Sequence, residues 1–203
     1  LNAYFDRTEW STLNIRFLDA SVNGSQITYM QLQKAESRDF WAEFTAPAEV
    51  GPGITEVTIV AQGQSPANAQ MSKKLTLSTP QAHNLELIPS ESVISAQADR
   101  RTRTIEIDLV NNGNADDRYD LELTADWRLE ARMSQPVSEE VGAFGDSSTV
   151  LVILPMPYGL RADTYFVIVK ATSQADPTYF VTTQVELVVE DTYCFVLSVW
   201  YLS

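Results

Sequence analysis

The chain has 203 residues, 44% of them hydrophobic, which is enough apolar side chain to build a core and excludes a wholly disordered protein. Its 27 Asp and Glu against 14 Lys and Arg leave a net charge of −13, which opposes binding to nucleic acid or to anionic membrane surfaces. One Cys and one His exclude an internal disulfide and a tetrahedral zinc site built by the chain alone.

The sequence opens Leu1-Asn2-Ala3-Tyr4, with neither an initiator Met nor a basic-then-apolar leader, and reads as a mature or excised segment. Trp10 follows in a polar stretch, Arg7-Thr8-Glu9-Trp10-Ser11-Thr12, where an indole is expected to face solvent. Residues 15–19 and 27–32 read as strands joined by Asn23-Gly24, a dipeptide suited to the positive φ angles of a two-residue hairpin. Asn23-Gly24-Ser25 is also a glycosylation sequon, and at a hairpin tip Asn23 would be accessible to modification. Residues 31–38 are ambiguous between helix and loop. Strands are expected at 39–45, 56–61 and 74–77, with Pro47, Gly51, Pro52 and Gly53 marking the loop between the first two.

The stretch Ser78-Thr79-Pro80-Gln81-Ala82-His83 reads as a linker, with His83 solvated in it. Charge changes across it. Residues 1–80 hold 8 acidic and 6 basic side chains, whereas the remainder holds 19 and 8. Two units, 1–80 and 84–190, each fit the size of one sandwich, and a linker this short would restrict their relative orientation.

Beyond the linker the period is two. Ile105-Glu106-Ile107-Asp108-Leu109 and Tyr119-Asp120-Leu121-Glu122-Leu123 alternate apolar with charged residues, the pattern of half-buried strands. Trp127-Arg128-Leu129-Glu130-Ala131-Arg132-Met133 reads the same way, which predicts a seven-residue strand with Trp127 in the core, as Trp41 is expected to be in strand 39–45. Further strands are expected at 84–88, 148–154, 164–171 and 180–189, with turns at Asn111-Asn112-Gly113-Asn114 and from Gly142 to Gly145. The class is all-β, two tandem immunoglobulin-like β-sandwiches, because strands this short and one-faced are stable only when two sheets share a core.

Residues 84–190 resemble a known module. The run from Ile105 to Asn114 followed by Asp117-Arg118-Tyr119-Asp120-Leu121, then Leu151-Val152-Ile153-Leu154-Pro155-Met156-Pro157, Ala162-Asp163-Thr164-Tyr165 and Val169-Lys170-Ala171-Thr172-Ser173, is similar to the immunoglobulin-like accessory domain found beside carbohydrate-binding modules in secreted α-galactosidases. Related sandwiches occur in bacterial and archaeal surface proteins. These motifs are core and turn positions, so the resemblance implies a fold and no catalytic residue. Residues 1–80 look generically immunoglobulin-like, with their first strand in question.

Chemistry is sparse. His83 stands far from any Gly-x-Ser-x-Gly elbow, and the neighbours of Cys194 (Tyr193, Phe195 and Val196) would raise its pKa rather than lower it, so no nucleophile–base pair is legible. Asp116-Asp117 and Glu139-Glu140 are adjacent on the chain, and adjacent strand residues point to opposite faces, so neither makes a glycosidase pair. Asn112, Asn114, Asp116, Asp117 and Asp120 crowd one turn as candidate Ca²⁺ ligands, although the closing bidentate Glu of a twelve-residue loop is absent, and Asx-rich turn chemistry with solubility is the preferred reading. No other cofactor is expected.

The chain ends Tyr193-Cys194-Phe195-Val196-Leu197-Ser198-Val199-Trp200-Tyr201-Leu202-Ser203, too short to span a bilayer as a helix. Three readings compete for residues 191–203: the first part of a truncated membrane anchor, a strand added to a neighbouring subunit through Phe195, Val196, Leu197, Val199, Trp200, Tyr201 and Leu202, or an extra strand on the chain's own second unit. The sequence as a whole reads as a non-enzymatic extracellular or cell-surface structural or adhesion protein. Its expected partners are other proteins, including copies of itself in a layer or filament. The rival reading is an accessory or carbohydrate-binding module of a secreted glycosidase or protease, for which the tryptophans would contact glycan.

Overall fold

A computed structural model of the chain describes residues 1–5, 14–20, 24–33, 36–47, 49–63 and 69–191. The protein is all-β and gathers into two compact units, Leu1–Ala82 and His83–Ser203. Among the described residues, no helix is long and apolar enough to cross a membrane.

The first unit contains β1 (Asn2–Phe5), β2 (Asn14–Asp19), β3 (Phe40–Thr45), β4 (Gly53–Gln62) and β5 (Gln70–Thr79). β1, β4 and β5 form one antiparallel sheet, and β2 and β3 form another. Alternation selects the inward residues. Phe17 of β2 meets Phe40 of β3 edge to face at 5.7 Å, and with Ala42 and Phe44 they pack against Val57 and Ile59 of β4 and Leu75 and Leu77 of β5. Thr55 has the same parity as Val57, so its hydroxyl is carried into this core, fully buried and without a hydrogen-bond partner among the described residues. A buried hydroxyl that gains nothing for its lost hydration is destabilising. The isosteric Thr55→Val is therefore expected to stabilise the protein by about 1 kcal/mol; a lowered melting temperature in thermal unfolding would contradict this.

Two expectations for this unit are corrected. Residues 27–32 are not a strand: after Gly24 turns the chain at φ +78°, the pairing with β2 consists of the bond from Asp19 N–H to the Ser25 carbonyl, the bridge between Leu18 and Gln26 and the bond from Ile27 N–H to the Phe17 carbonyl. Trp41 is not core. β3 is apolar on both faces at Phe40-Trp41, only one of the two can turn inward, and Phe40 does, leaving the indole 67% exposed. Trp10, Asn23 and Cys194 lie outside the described residues, as does residue 192 onward.

The second unit is an immunoglobulin-like sandwich. It comprises β6 (Leu85–Pro89), β7 (Val93–Gln97), β8 (Thr102–Asn111), β9 (Tyr119–Ala125), β10 (Arg132–Met133), β11 (Asp146–Pro155), β12 (Asp163–Ser173) and β13 (Phe180–Glu190). One sheet has the order β10-β11-β8-β6 and the other β7-β13-β12-β9. The first strand splits between them. β6 pairs antiparallel with β8, the chain bends after Pro89, and β7 crosses over to pair parallel with β13. β7 has no counterpart in the expected strands, because its only inward residues are Ile94 and the small Ala96.

Between the sheets, Ile105, Ile107 and Leu109 of β8 and Val150, Val152 and Leu154 of β11 face Tyr165, Val167 and Val169 of β12 and Val185 and Leu187 of β13. The Tyr165 hydroxyl donates to the Arg161 carbonyl at 3.1 Å, the tyrosine corner of immunoglobulin-like domains. Two residues further along, where such domains carry the second cysteine of a disulfide, stands the buried Val167. Apolar packing alone joins the two sheets there.

The third correction falls on residues 127–133, which form a 3-10 turn (Trp127–Leu129) followed by the two-residue β10. Asp126 caps the turn by accepting from the Arg128 N–H, and Glu130 leaves it at φ +50°, a left-handed conformation that no strand contains. Leu129 is fully buried and Trp127 is 84% exposed.

Candidate functional site

Two places concentrate polar or aromatic side chains in the second unit. The first closes one end of the core. β8 and β12 finish there and β9 begins there, and at that level their inward positions change from apolar to polar: Asn111, Ser173 and Tyr119. Asn111 donates to the carbonyls of Ala115 and Val141 and accepts from Gly113 N–H, which pins the 111–115 turn. Asp117 is buried beside it. One of its oxygens accepts from the Arg118 and Ala175 N–H groups, the other from the Ser173 hydroxyl, with His83 Nδ1 3.7 Å away. His83 stacks on Tyr179 at 5.4 Å, and the Tyr179 hydroxyl accepts from the Leu85 N–H. His83 is thus packed against the sandwich rather than solvated in a linker. Burial, with the Asp117 charge second, pushes the Tyr119 phenol well above its ordinary pKa.

Ser173, Asp117 and His83 are the residue types of a hydrolytic triad in the wrong order. The carboxylate stands between the other two, so His83 faces Asp117 and nothing relates it to the serine as a base. The Ser173 hydroxyl is buried, donates to Asp117 and accepts from the Asp176 N–H. This is a loop-fastening network.

The candidate Ca²⁺ ligands are engaged in hydrogen bonds. Asp116 accepts from the Ala143 N–H, Asp117 from the donors above, Asp120 from the Gln174 side chain at 2.6 Å, and the Asn112 N–H is given to the Asn84 carbonyl. Among the described residues no group of three or more His, Cys, Asp or Glu could hold a metal ion. Of the other acidic pair, Glu140 faces Arg118 at 3.7 Å.

The second place is a groove of about 400 Å³ along β9 and the segment after it. Leu121, Leu123 and Ala125 of β9 form its floor, Met133, Gln135 and Pro136 one wall, and Trp127, Glu130 and Arg132 its rim. The turn that carries Trp127 is held rigidly. The Arg128 guanidinium makes two hydrogen bonds to Asp126, at 2.9 and 2.6 Å, and lies 5.5 Å over the Tyr165 ring. Those bonds lower the Asp126 pKa to about 2, so the clamp stays ionised across the physiological range. An exposed indole beside an open strand edge is what this geometry presents. Reading 127–133 as a strand hid it.

No model of a protein family matches the chain, and no curated relative matches it. Among solved structures it is similar to an ASH/PapD-like domain of human CEP192, at 16% identity and TM-score 0.39 over 54% of this chain and 87% of that one. It is similar to domains 4 and 5 of the S-layer protein SbsC, at 13% identity and TM-score 0.36 over 87% of this chain and 97% of that one. It is also similar to the periplasmic chaperone SfaE, at 12% identity and TM-score 0.38 over 55% of this chain, spanning 61% of the chaperone's length. These likenesses concern fold alone.

Proposed function

We propose that the chain is a non-catalytic structural or adhesion protein of the extracellular or cell-surface kind, its β-sandwich units serving as spacers or assembly units of a layer or filament. The observation that carries the reading is the use made of Asp117, Ser173 and His83: side chains of nucleophile, acid and base type that come together are spent on fastening loops to the end of a core. The acidic bias of residues 81–203 supports it too, since a high net charge of one sign keeps a presented module soluble and limits collapse onto its neighbours. Antibodies raised against the chain should label intact, unpermeabilised cells of the source organism; signal only after permeabilisation would overturn the reading.

A second reading has its own observation. Trp127 and Trp41 are exposed indoles, and Trp127 stands at a groove rimmed by Glu130 and Arg132, side chains that hydrogen-bond sugar hydroxyls while the indole stacks on a pyranose face. This favours the accessory or carbohydrate-binding role that the resemblance of residues 84–190 implies. Tryptophan fluorescence titrated with soluble polysaccharides separates the two readings. A saturable change that Trp127→Ala abolishes selects glycan binding, and a flat titration selects the structural role.

A further inference from the structure

The basic side chains of the second unit are gathered at one end. The strand registers put Thr102, Ala125, Pro155 and Asp163 at one end of the two sheets, and Asn111, Tyr119, Asp146 and Ser173 at the other. Of the eight Lys and Arg in residues 81–203, six lie at the first end, and all six are arginine: Arg100, Arg101, Arg103, Arg128, Arg132 and Arg161. At the other end, among the described residues, Arg118 is the one Lys or Arg, set against the exposed carboxylates of Asp116, Asp120, Glu139, Glu140 and Asp146.

Three loops carry the arginine end, and contacts between them fix it. The Arg100 N–H donates to the Met156 carbonyl, and its guanidinium lies 5.3 Å over the Tyr158 ring. The Arg128 guanidinium lies over Tyr165, whose hydroxyl donates to the Arg161 carbonyl. Asp99 takes up Arg101 and Arg103, and Asp126 takes up Arg128. Arg100, Arg132 and Arg161 are left exposed, with no ion pair among the described residues. Trp127 and Tyr158 stand at the same end, 84% and 77% exposed. Arg, Trp and Tyr exposed together are the composition of an interface centre rather than of an ordinary solvated surface. An arginine fork also grips a carboxylate through two parallel hydrogen bonds, which a lysine cannot make.

We infer that this arginine end docks, head to tail, on the acidic end of the second unit of another copy of the chain. Charge complementarity selects that partner. A long polyanion laid across the arginine end would continue onto flanks that carry the exposed Glu106, Asp108 and Glu122. The acidic end of a copy is bounded, so its carboxylates meet the arginines and go no further. Because the two contacting surfaces differ, every pair keeps one free arginine end and one free acidic end, and the contact propagates as a ring or a filament. The inference rests on the assembly-unit reading above and names the surface through which it acts.

The test uses the full chain, a variant with Arg100→Glu and Arg161→Glu, and a variant with Glu139→Lys and Glu140→Lys. All four positions are exposed, so both variants should melt with the parent in circular dichroism. In light scattering at low ionic strength, the mass of the parent should rise with concentration. It should return to that of a monomer in about 1 M salt, where the Debye length is about 3 Å. Each variant alone should stay monomeric, and an equal mixture should associate, because the glutamates of one meet the lysines of the other. A parent that is monomeric at every concentration overturns the inference, as does assembly that survives the salt or either variant. Binding of polygalacturonate through Arg100 and Arg161 without self-association also overturns it, and gives this end to an acidic glycan. Antibody labelling of intact cells judges the surface role separately, so a monomer found on the cell surface defeats the docking and leaves that role standing.

Discussion

Asp117→Ala should be among the most damaging single substitutions in the second unit, lowering stability by about 3 kcal/mol. The carboxylate is buried and serves the Arg118 and Ala175 N–H groups, the Ser173 hydroxyl and His83. Alanine takes away a shared acceptor without removing any donor, so several polar groups are stranded in a site poor in water. That asymmetry, more than the worth of any one bond, sets the size of the effect. Asp117→Asn is the control. Its amide oxygen still accepts from the two backbone N–H groups, while its amide nitrogen can donate to the Ser173 oxygen, so the loss should be less than half as large. Chemical denaturation of both variants checks the pair. If the two lose equal stability, the negative charge beside His83, rather than the number of acceptors, holds this end of the sandwich together.

That network shows how far the sequence could be followed. The strands came from alternation, and it is reliable where one face is charged: 105–109 and 119–123 lie inside β8 and β9. The same parity carried one step further exposes the network, because Asn111 and Ser173 are polar residues at inward positions of strands that are otherwise apolar inside. A polar side chain on the buried face needs a partner, and the acidic turn between Asn111 and Tyr119 was the place to seek one. Spacing along the chain could not reveal that Asp117 and Asp120 also take partners from 173–175, more than fifty residues on.

The groove was less legible. Trp127-Arg128-Leu129-Glu130 alternates as a strand does, yet Asp126 is also a capping residue, and the competition between the two local structures is decided by tertiary packing. Leu129 drops into the bottom of the core, which requires a tight turn and throws Trp127 outward. β7 was missed for the opposite reason. Its signal is weak because the register with β13, rather than its own composition, makes it a strand.

Leu129 and Trp127 should therefore behave oppositely although only Arg128 separates them. Leu129 is fully buried among the side chains of the main core, and its truncation to alanine leaves a cavity and removes the anchor of the turn, at a cost of about 3 kcal/mol. Trp127 is 84% exposed, so Trp127→Ala should leave the stability within about 0.5 kcal/mol of the parent protein. Thermal unfolding of the two variants, read by circular dichroism so that the missing indole does not bias the signal, distinguishes a presented side chain from a structural one. A large loss on removing Trp127 would mean that the indole is covered in solution, and the covering group would have to come from outside the described residues. The exposed large side chain then carries information about binding, whereas the buried one two positions away reports only on folding. Any assay of the groove should be interpreted through Trp127→Ala and not through Leu129→Ala, since the second variant would lose the groove along with the turn that builds it.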